Sequence, residues 1–303
     1  MAHNHEHSHH HHHHEVNGKN LVITIILNVI ITLSQIIGGL YSGSLALLSD
    51  ALHNFSDVMA LVIAWWANKI SLRKRSQTKT FGYKRAQIIA ALFNASVLSG
   101  IGVFLIFEAV SKFLKPEIID SNIVIYLAIL SIILNFASVM LVKADSAENL
   151  NMKAAYLHLL TDVMTSVAVL VGGLGMKYLG IFWIDSLISA MIAIYLIKSS
   201  FSLIKETTDI LMQFSPEHIN VNDIEKKVLE FKEVLNLHHL HIWKLTEKQV
   251  HLEAHIDFKE NLSLLEITSI ISMIEQKLKQ HFSITHITLQ AEFDKDDKKE
   301  LIC

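Results

Sequence analysis

Two short stretches of the chain carry an imidazole and a carboxylate at the same spacing. His53 and Asp57 stand in SDALHNFSD, and His158 and Asp162 stand in HLLTD. Four residues apart on a helix puts both side chains of a pair on one face, one turn apart. Two such helices supply two imidazoles and two carboxylates, the ligand number and type of tetrahedral Zn²⁺. These groups must shed protons to bind metal, so loading such a site releases protons and protonating it releases metal. Imidazole titrates within the range of physiological proton gradients, which suits a site that exchanges metal for protons. A thiolate site would hold metal more permanently, but the chain has one cysteine, Cys303. A single His-x-x-x-Asp pair is equally a hydrogen bond across one helical turn, facing a polar cavity. Two matching pairs inside apolar spans favour the metal, because ionisable side chains within a bilayer are costly and functional by default.

The elements that position these residues are membrane spans. Of 303 residues, 51% are hydrophobic and only 18% are charged, against about a quarter charged in ordinary soluble domains. With only two prolines, Pro116 and Pro216, long helices can run unbroken. A bilayer core of about 30 Å needs about 20 apolar residues in a helix. Six segments qualify: Leu21–Leu40, Leu45–Ala67, Ala86–Leu114, Asn122–Val142, Ala154–Leu179 and the shorter Ile181–Ile197. The first is too long for the apolar core of a cleaved signal peptide, and histidines replace the basic residues expected before one. Loops and flanks on the side of the two termini hold 12 Lys and Arg, seven of them at Lys69, Arg73, Lys74, Arg75, Lys79, Lys84 and Arg85. The other side holds only Lys112, Lys115 and Lys177. The positive-inside rule therefore predicts both termini in the cytoplasm. Short loops favour a prokaryotic plasma membrane.

The composition changes after Lys205. Residues 1–206 carry 15 basic against 12 acidic groups, and residues 207–303 carry 11 against 17. The expected division is a His-rich tail over 1–20, a six-helix membrane domain over 21–206, a cytoplasmic domain over 207–293 and a charged tail over 294–303. Helical periodicity over Glu217–Phe231 and Leu262–His281, with strands at Val234–Leu245, Gln249–Phe258 and Ser283–Phe293, predicts a two-layer α+β domain of order α-β-β-α-β. Val250, Leu252, Ala254, Ile256 and Phe258 should face its core, as should Ile287, Leu289, Ala291 and Phe293. His251, Glu253, His255 and Asp257, with His286, Thr288, Gln290 and Glu292, form the polar face, which solvent alone could cover. The stretch Asp294–Glu300 is expected to fray. At the other end stand His3, His5, His7, His9, His10, His11, His12, His13 and His14. Six consecutive histidines resemble a purification tag, whereas the spaced three suggest a native metal antenna. Asn28, Gln35, Asn94 and Asn135 are expected to bond between helices, and Asp50 to cap a helix or serve the exit side.

Three stretches carry a family resemblance: SLALLSDALHNFSD (Ser44–Asp57), TFGYKRAQIIAALFN (Thr80–Asn94) and HLLTD. The carboxyl domain adds HHLHIWKL, HLEAHIDF and HITLQAE. Over residues from about 20 to about 293 the chain resembles the zinc-exporting branch of the cation diffusion facilitators. The resemblance implies a homodimeric metal/proton antiporter acting on Zn²⁺ and H⁺, and not a nucleic-acid partner. It implies transport ligands at His53, Asp57, His158 and Asp162, with Cd²⁺ and Co²⁺ admissible on the same donors. Members with Asp in place of His53 lean toward manganese. It also implies a regulatory metal at His238, His255 and Glu292, with Gln290 standing where some relatives have histidine. Ser71–Thr80 lacks the His or acid that some relatives use for a further metal.

Other functional classes fit less well. An intramembrane zinc protease would want His-Glu-x-x-His, which is absent, and no Walker or phosphorylated-Asp motif supports an ATP-driven pump. A membrane-anchored zinc sensor would not need ligands at bilayer depth.

Overall fold

The computed structural model describes residues 18–146 and 150–302, and the side chains of residues 23–141, 143 and 156–302. The histidines from His3 to His14 therefore lie outside the described residues. Six long helices come first: α1 (Gly18–Ser42), α2 (Leu45–Ser71), α3 (Ala86–Leu114), α4 (Ser121–Ser146), α5 (Leu150–Leu179) and α6 (Trp183–Leu211). Each contains a window long and apolar enough to cross a membrane, and the protein is an integral membrane protein. The expected end of the sixth span at Ile197 is too early, because α6 continues to Leu211. Charge ends an apolar window, but Lys and Glu are good helix formers and do not end a helix.

By contacts the chain divides into two compact units, one of residues up to Met59 with Leu98–Lys198, the other of Ala60–Val97 with Ser199 onward. The first unit is packed about Leu47, Leu105, Val124, Val169, Ala193 and Leu196. Without a hydrophobic drive between helices in lipid, small residues allow close packing and polar groups join them. A Cβ at Gly102 of α3 would lie 2.7 Å from Ile197 Cγ1 on α6, and one at Gly173 of α5 would lie 2.9 Å from Ile125 Cγ1 on α4. Ser49 and Ser189 bond α2 to α6 at 2.6 Å. Asp185 is buried and caps α2 from α6. It accepts from Ser44 Oγ at 2.5 Å and from the N–H groups of Leu45 and Ala46 at 2.7 and 3.2 Å, satisfying donors that a helix start leaves unpaired.

In the second unit the remaining elements are α7 (Val221–Val228), β1 (Val234–Thr246), β2 (Gln249–Phe258), α8 (Leu264–Phe282) and β3 (His286–Glu292), the α-β-β-α-β order expected. β1 pairs antiparallel with β2, and β2 parallel with β3. Ile224, Val228, Leu237, Ile242, Leu252, Ile256, Ile274 and Leu278 build the core. α7 is shorter than the predicted Glu217–Phe231. Asn220 caps it by accepting from the Asn222 N–H. α8 starts at a capping box in which Ser263 and Glu266 bond reciprocally. The inward face of β2 is as expected, whereas Ala291 is exposed within β3 and Phe293 is exposed beyond the end of the strand at Glu292.

The predicted fraying of Asp294–Glu300 is also corrected. A bulge in β1 shifts the register between His238 and His241 and puts His239 at φ 51°. The N–H groups of His239 and Leu240 then donate to the carbonyls of Glu300 and Leu301, at 3.1 and 2.8 Å. Bulged residues leave the ladder, and their backbone donors need another partner. The C-terminal segment is that partner.

Candidate metal centre

His53 and Asp57 on α2 meet His158 and Asp162 on α5. Each residue offers one donor atom, and the four atoms lie within 4.8 Å of one another. His53 Nδ1 is 3.6 Å from Asp57 Oδ2, and its Nε2 is 3.4 Å from Asp162 Oδ1. His158 Nε2 is 3.3 Å from Asp57 Oδ2 and 3.9 Å from Asp162 Oδ2. Both ring nitrogens of His53, Asp57 Oδ2 and both Asp162 oxygens are buried without a hydrogen-bond partner. Buried polar atoms are normally satisfied, and these unpaired atoms converge on one point that could hold a cation. The alternative of a separate hydrogen bond within each helix is not realised, since the contacts also cross between helices. The two halves differ in exposure. The side chains of His53 and Asp162 are 5% and 0% exposed, while those of Asp57 and His158 are 24% and 41% exposed.

Toward the Leu45 end of α2 the cluster is backed by a buried polar network. Asp50 does not cap a helix. It accepts from Gln35 Nε2 of α1 at 2.6 Å and from Thr165 Oγ1 and Ser166 Oγ of α5 at 2.8 and 3.3 Å. Gln35 also donates to Ser131 of α4 and accepts from Asn54 Nδ2 of α2. Asn135 bonds within its own helix, to Ser131, and Asn28 accepts from Thr32 of its own helix, not from a neighbouring one as expected. Sequence reading missed Thr165 and Ser166, whose type carries no signal in a membrane helix. It also missed Tyr195 of α6, whose ring meets that of His53 edge-on, centroids 6.2 Å apart.

A second cluster lies on the carboxyl domain's sheet. His238 stands opposite His255 in the β1–β2 ladder, and Asp257 beside Glu292 in β2–β3. His238 Nε2 is 3.4 Å from Glu292 Oε2 and 3.6 Å from Asp297 Oδ2, and His255 Nδ1 is 3.0 Å from Glu292 Oε1. Asp297 was not anticipated, since nothing in a run of alternating charges marks one acid from the next. Gln290 donates to Glu292 Oε1 at 2.7 Å. Burial pushes the His255 imidazole below its ordinary pKa. Burial raises the Glu292 carboxyl, but bonds from Lys295 and Gln290 outweigh it and leave the pKa below the usual value. Lys299 holds the Asp297 carboxyl far below the carboxylate range. His239 stacks on His255 and meets His241 edge-on, whereas His251 lies apart, against Trp243, His286 and Phe81.

Six spanning helices, a four-donor cluster between two of them that could hold a metal ion and a following α+β domain define a polytopic membrane protein. A family model described as the cation efflux transmembrane domain matches residues 21–212, and one described as the cation efflux protein, cytoplasmic domain, matches residues 216–294. The chain belongs to the cation efflux family, the cation diffusion facilitators. It is 34% identical to the cadmium, cobalt and zinc/H(+)-K(+) antiporter of Bacillus subtilis, over 96% of this chain and 92% of that one. It is 32% identical to the metal cation efflux system protein CzcD of Cupriavidus metallidurans, covering 91% and 87%. It is 32% identical to the zinc transporter ZitB of Pectobacterium atrosepticum, covering 98% and 91%.

Proposed function

We propose that the protein exports Zn²⁺ from the cytoplasm in exchange for protons, using His53, Asp57, His158 and Asp162 as the transport ligands. The observation that carries this reading is the convergence of their donor atoms within 4.8 Å between two spanning helices, with those of His53, Asp57 and Asp162 buried and unpaired. Two imidazoles and two carboxylates fit Zn²⁺ in number and type, and Cd²⁺ and Co²⁺ are carried on the same donors. Relatives named as zinc transporters, and one named as an H(+)-coupled antiporter, support the cargo and the counter-ion. Exchange follows from competition for the same lone pairs: metal arriving from the cytoplasm displaces protons, and protons arriving from outside displace metal.

With both termini cytoplasmic in a bacterial plasma membrane, the more exposed half of the cluster, Asp57 and His158, faces the cytoplasm. The buried half and the Asp50 network then seal the outer side, which is an inward-facing state. The protein works as a homodimer, a reading supported by the family model for its carboxyl domain. Zinc bound at His238, His255 and Glu292 offsets that domain's acidic charge and favours transport, and the histidines from His3 to His14 act as a metal antenna. The test is zinc flux through His53→Ala, Asp57→Ala, His158→Ala and Asp162→Ala. Each should lose flux by at least about 100-fold while remaining folded, because one missing ligand leaves an incomplete tetrahedron. Near-normal flux from any two would overturn the assignment.

A further inference from the structure

The cluster on the carboxyl domain contains more than the strands supply. Its acids are Asp257, Glu292 and Asp297, and two lysines of the C-terminal segment lie among them. Lys299 Nζ is 2.9 Å from Asp257 Oδ2 and 3.8 Å from Glu292 Oε2, and also pairs with Asp297. Lys295 pairs with Glu292 and lies 3.2 Å from Asp297 Oδ2. Yet the atoms that point inward are unspent. Both ring nitrogens of His238, His255 Nδ1 and Glu292 Oε2 have no hydrogen-bond partner, and His238 is 1% exposed. Asp257 faces His238 Nδ1 at 3.5 Å. From there a carboxylate stands ready to accept the Nδ1 proton, which would leave Nε2 free for a metal. The segment is held in place by its two backbone bonds to the β1 bulge, so Asp297 is delivered to the cluster and does not drift near it.

We propose that Asp297 is the fourth ligand of a divalent-cation site with His238, His255 and Glu292, and that Lys295 and Lys299 occupy its carboxylates until the cation displaces them. This rests on the regulatory reading of the carboxyl domain above. His238, His255, Glu292 and Asp297 offer donor atoms within 4.8 Å of one another, two nitrogen and two oxygen ligands for a tetrahedral ion. A cation of charge +2 replaces the ammonium groups electrostatically, and the same carboxylates cannot serve both at full strength. Cation binding therefore breaks the ion pairs of Lys295 and Lys299 and frees both lysines. Affinity is set below that of the bare four ligands, so the site fills only when cytoplasmic metal is abundant.

The experiment measures Zn²⁺ affinity, by competition with a chromophoric chelator, in protein lacking residues 2–14 and carrying Asp57→Asn and Asp162→Asn, so that neither the tract nor the membrane cluster contributes. Asp297→Asn should weaken binding by at least about 10-fold. Lys295→Gln with Lys299→Gln should tighten it by roughly 3- to 20-fold, the range of two partly exposed ion pairs. In the protein with both lysines intact, zinc should raise the rate at which an amine acylating reagent modifies Lys295 and Lys299, and His238→Ala should abolish that rise. Zinc binding that depends on His238 but is indifferent to Asp297 and to both lysines would overturn the inference while sparing the site. Unchanged zinc binding in His238→Ala would overturn the regulatory site itself.

Discussion

At the scale of single residues, the proposed transport site predicts that the choice of donor decides which ion the membrane cluster prefers. His53 is the more deeply buried imidazole, and it contacts acids on both helices, Asp57 and Asp162. Replacing it with aspartate removes a borderline nitrogen donor and leaves one imidazole with three carboxylates, a set better suited to harder ions. His53→Asp should lower zinc flux by about 10-fold or more relative to Mn²⁺ flux. Side-by-side flux assays with Zn²⁺, Cd²⁺ and Mn²⁺ check this, and an unchanged ranking would put selectivity elsewhere. The four clustered residues were legible in the sequence because imidazole and carboxylate stand out against apolar helix. Asp50 and Asp185 were visible as charges, but their partners were not. Hydroxyls such as Thr165 and Ser44 become informative only when folding brings them to a carboxylate.

At the scale of elements, the network about Asp50 ties α1, α2, α4 and α5 together on one side of the ligands. Thr165 supplies the only bond to Asp50 Oδ1 among those described. Thr165→Val keeps the shape and deletes the donor, and an unpaired buried acceptor costs about 1–3 kcal/mol. On the proposed reading of this arrangement as inward-facing, that cost falls on the state in which the network is closed. The outward-facing population should therefore grow by about 10-fold. A cysteine introduced by Ala128→Cys, at a position fully buried on α4, would report it through labelling by an impermeant thiol reagent from the outer side. Equal labelling rates with and without Thr165→Val would mean that the network does not act as a seal. Element types and order were read correctly from periodicity, since long apolar runs and alternating strands carry strong signals. Ends were read less well. Caps such as Asn220 set the start of α7, and α6 outlasts its apolar window. The C-terminal segment was misread because its order comes from a bulge in β1, more than fifty residues away in the chain, and not from any pattern of its own.

At the scale of the whole molecule, the proposed division of labour is that the His-rich appendages modulate transport and the membrane domain performs it. Deleting residues 2–14 should leave flux at saturating zinc nearly intact and reduce it mainly at low zinc. A tract outside the spans raises local metal concentration but contributes no ligand at bilayer depth. Flux measured across a zinc titration tests this, and a fall of the same proportion at all concentrations would make the tract part of the transport machinery. The most direct test of coupled exchange is zinc uptake into proteoliposomes whose carboxyl domains face outward, with the lumen held at about pH 6 and the outside at about pH 8. Uptake should be accelerated by the acidic lumen, be accompanied by proton efflux, and vanish in Asp162→Ala. Zinc uptake equally fast without a pH gradient, or a gradient effect that persists in Asp162→Ala, would contradict exchange at this site.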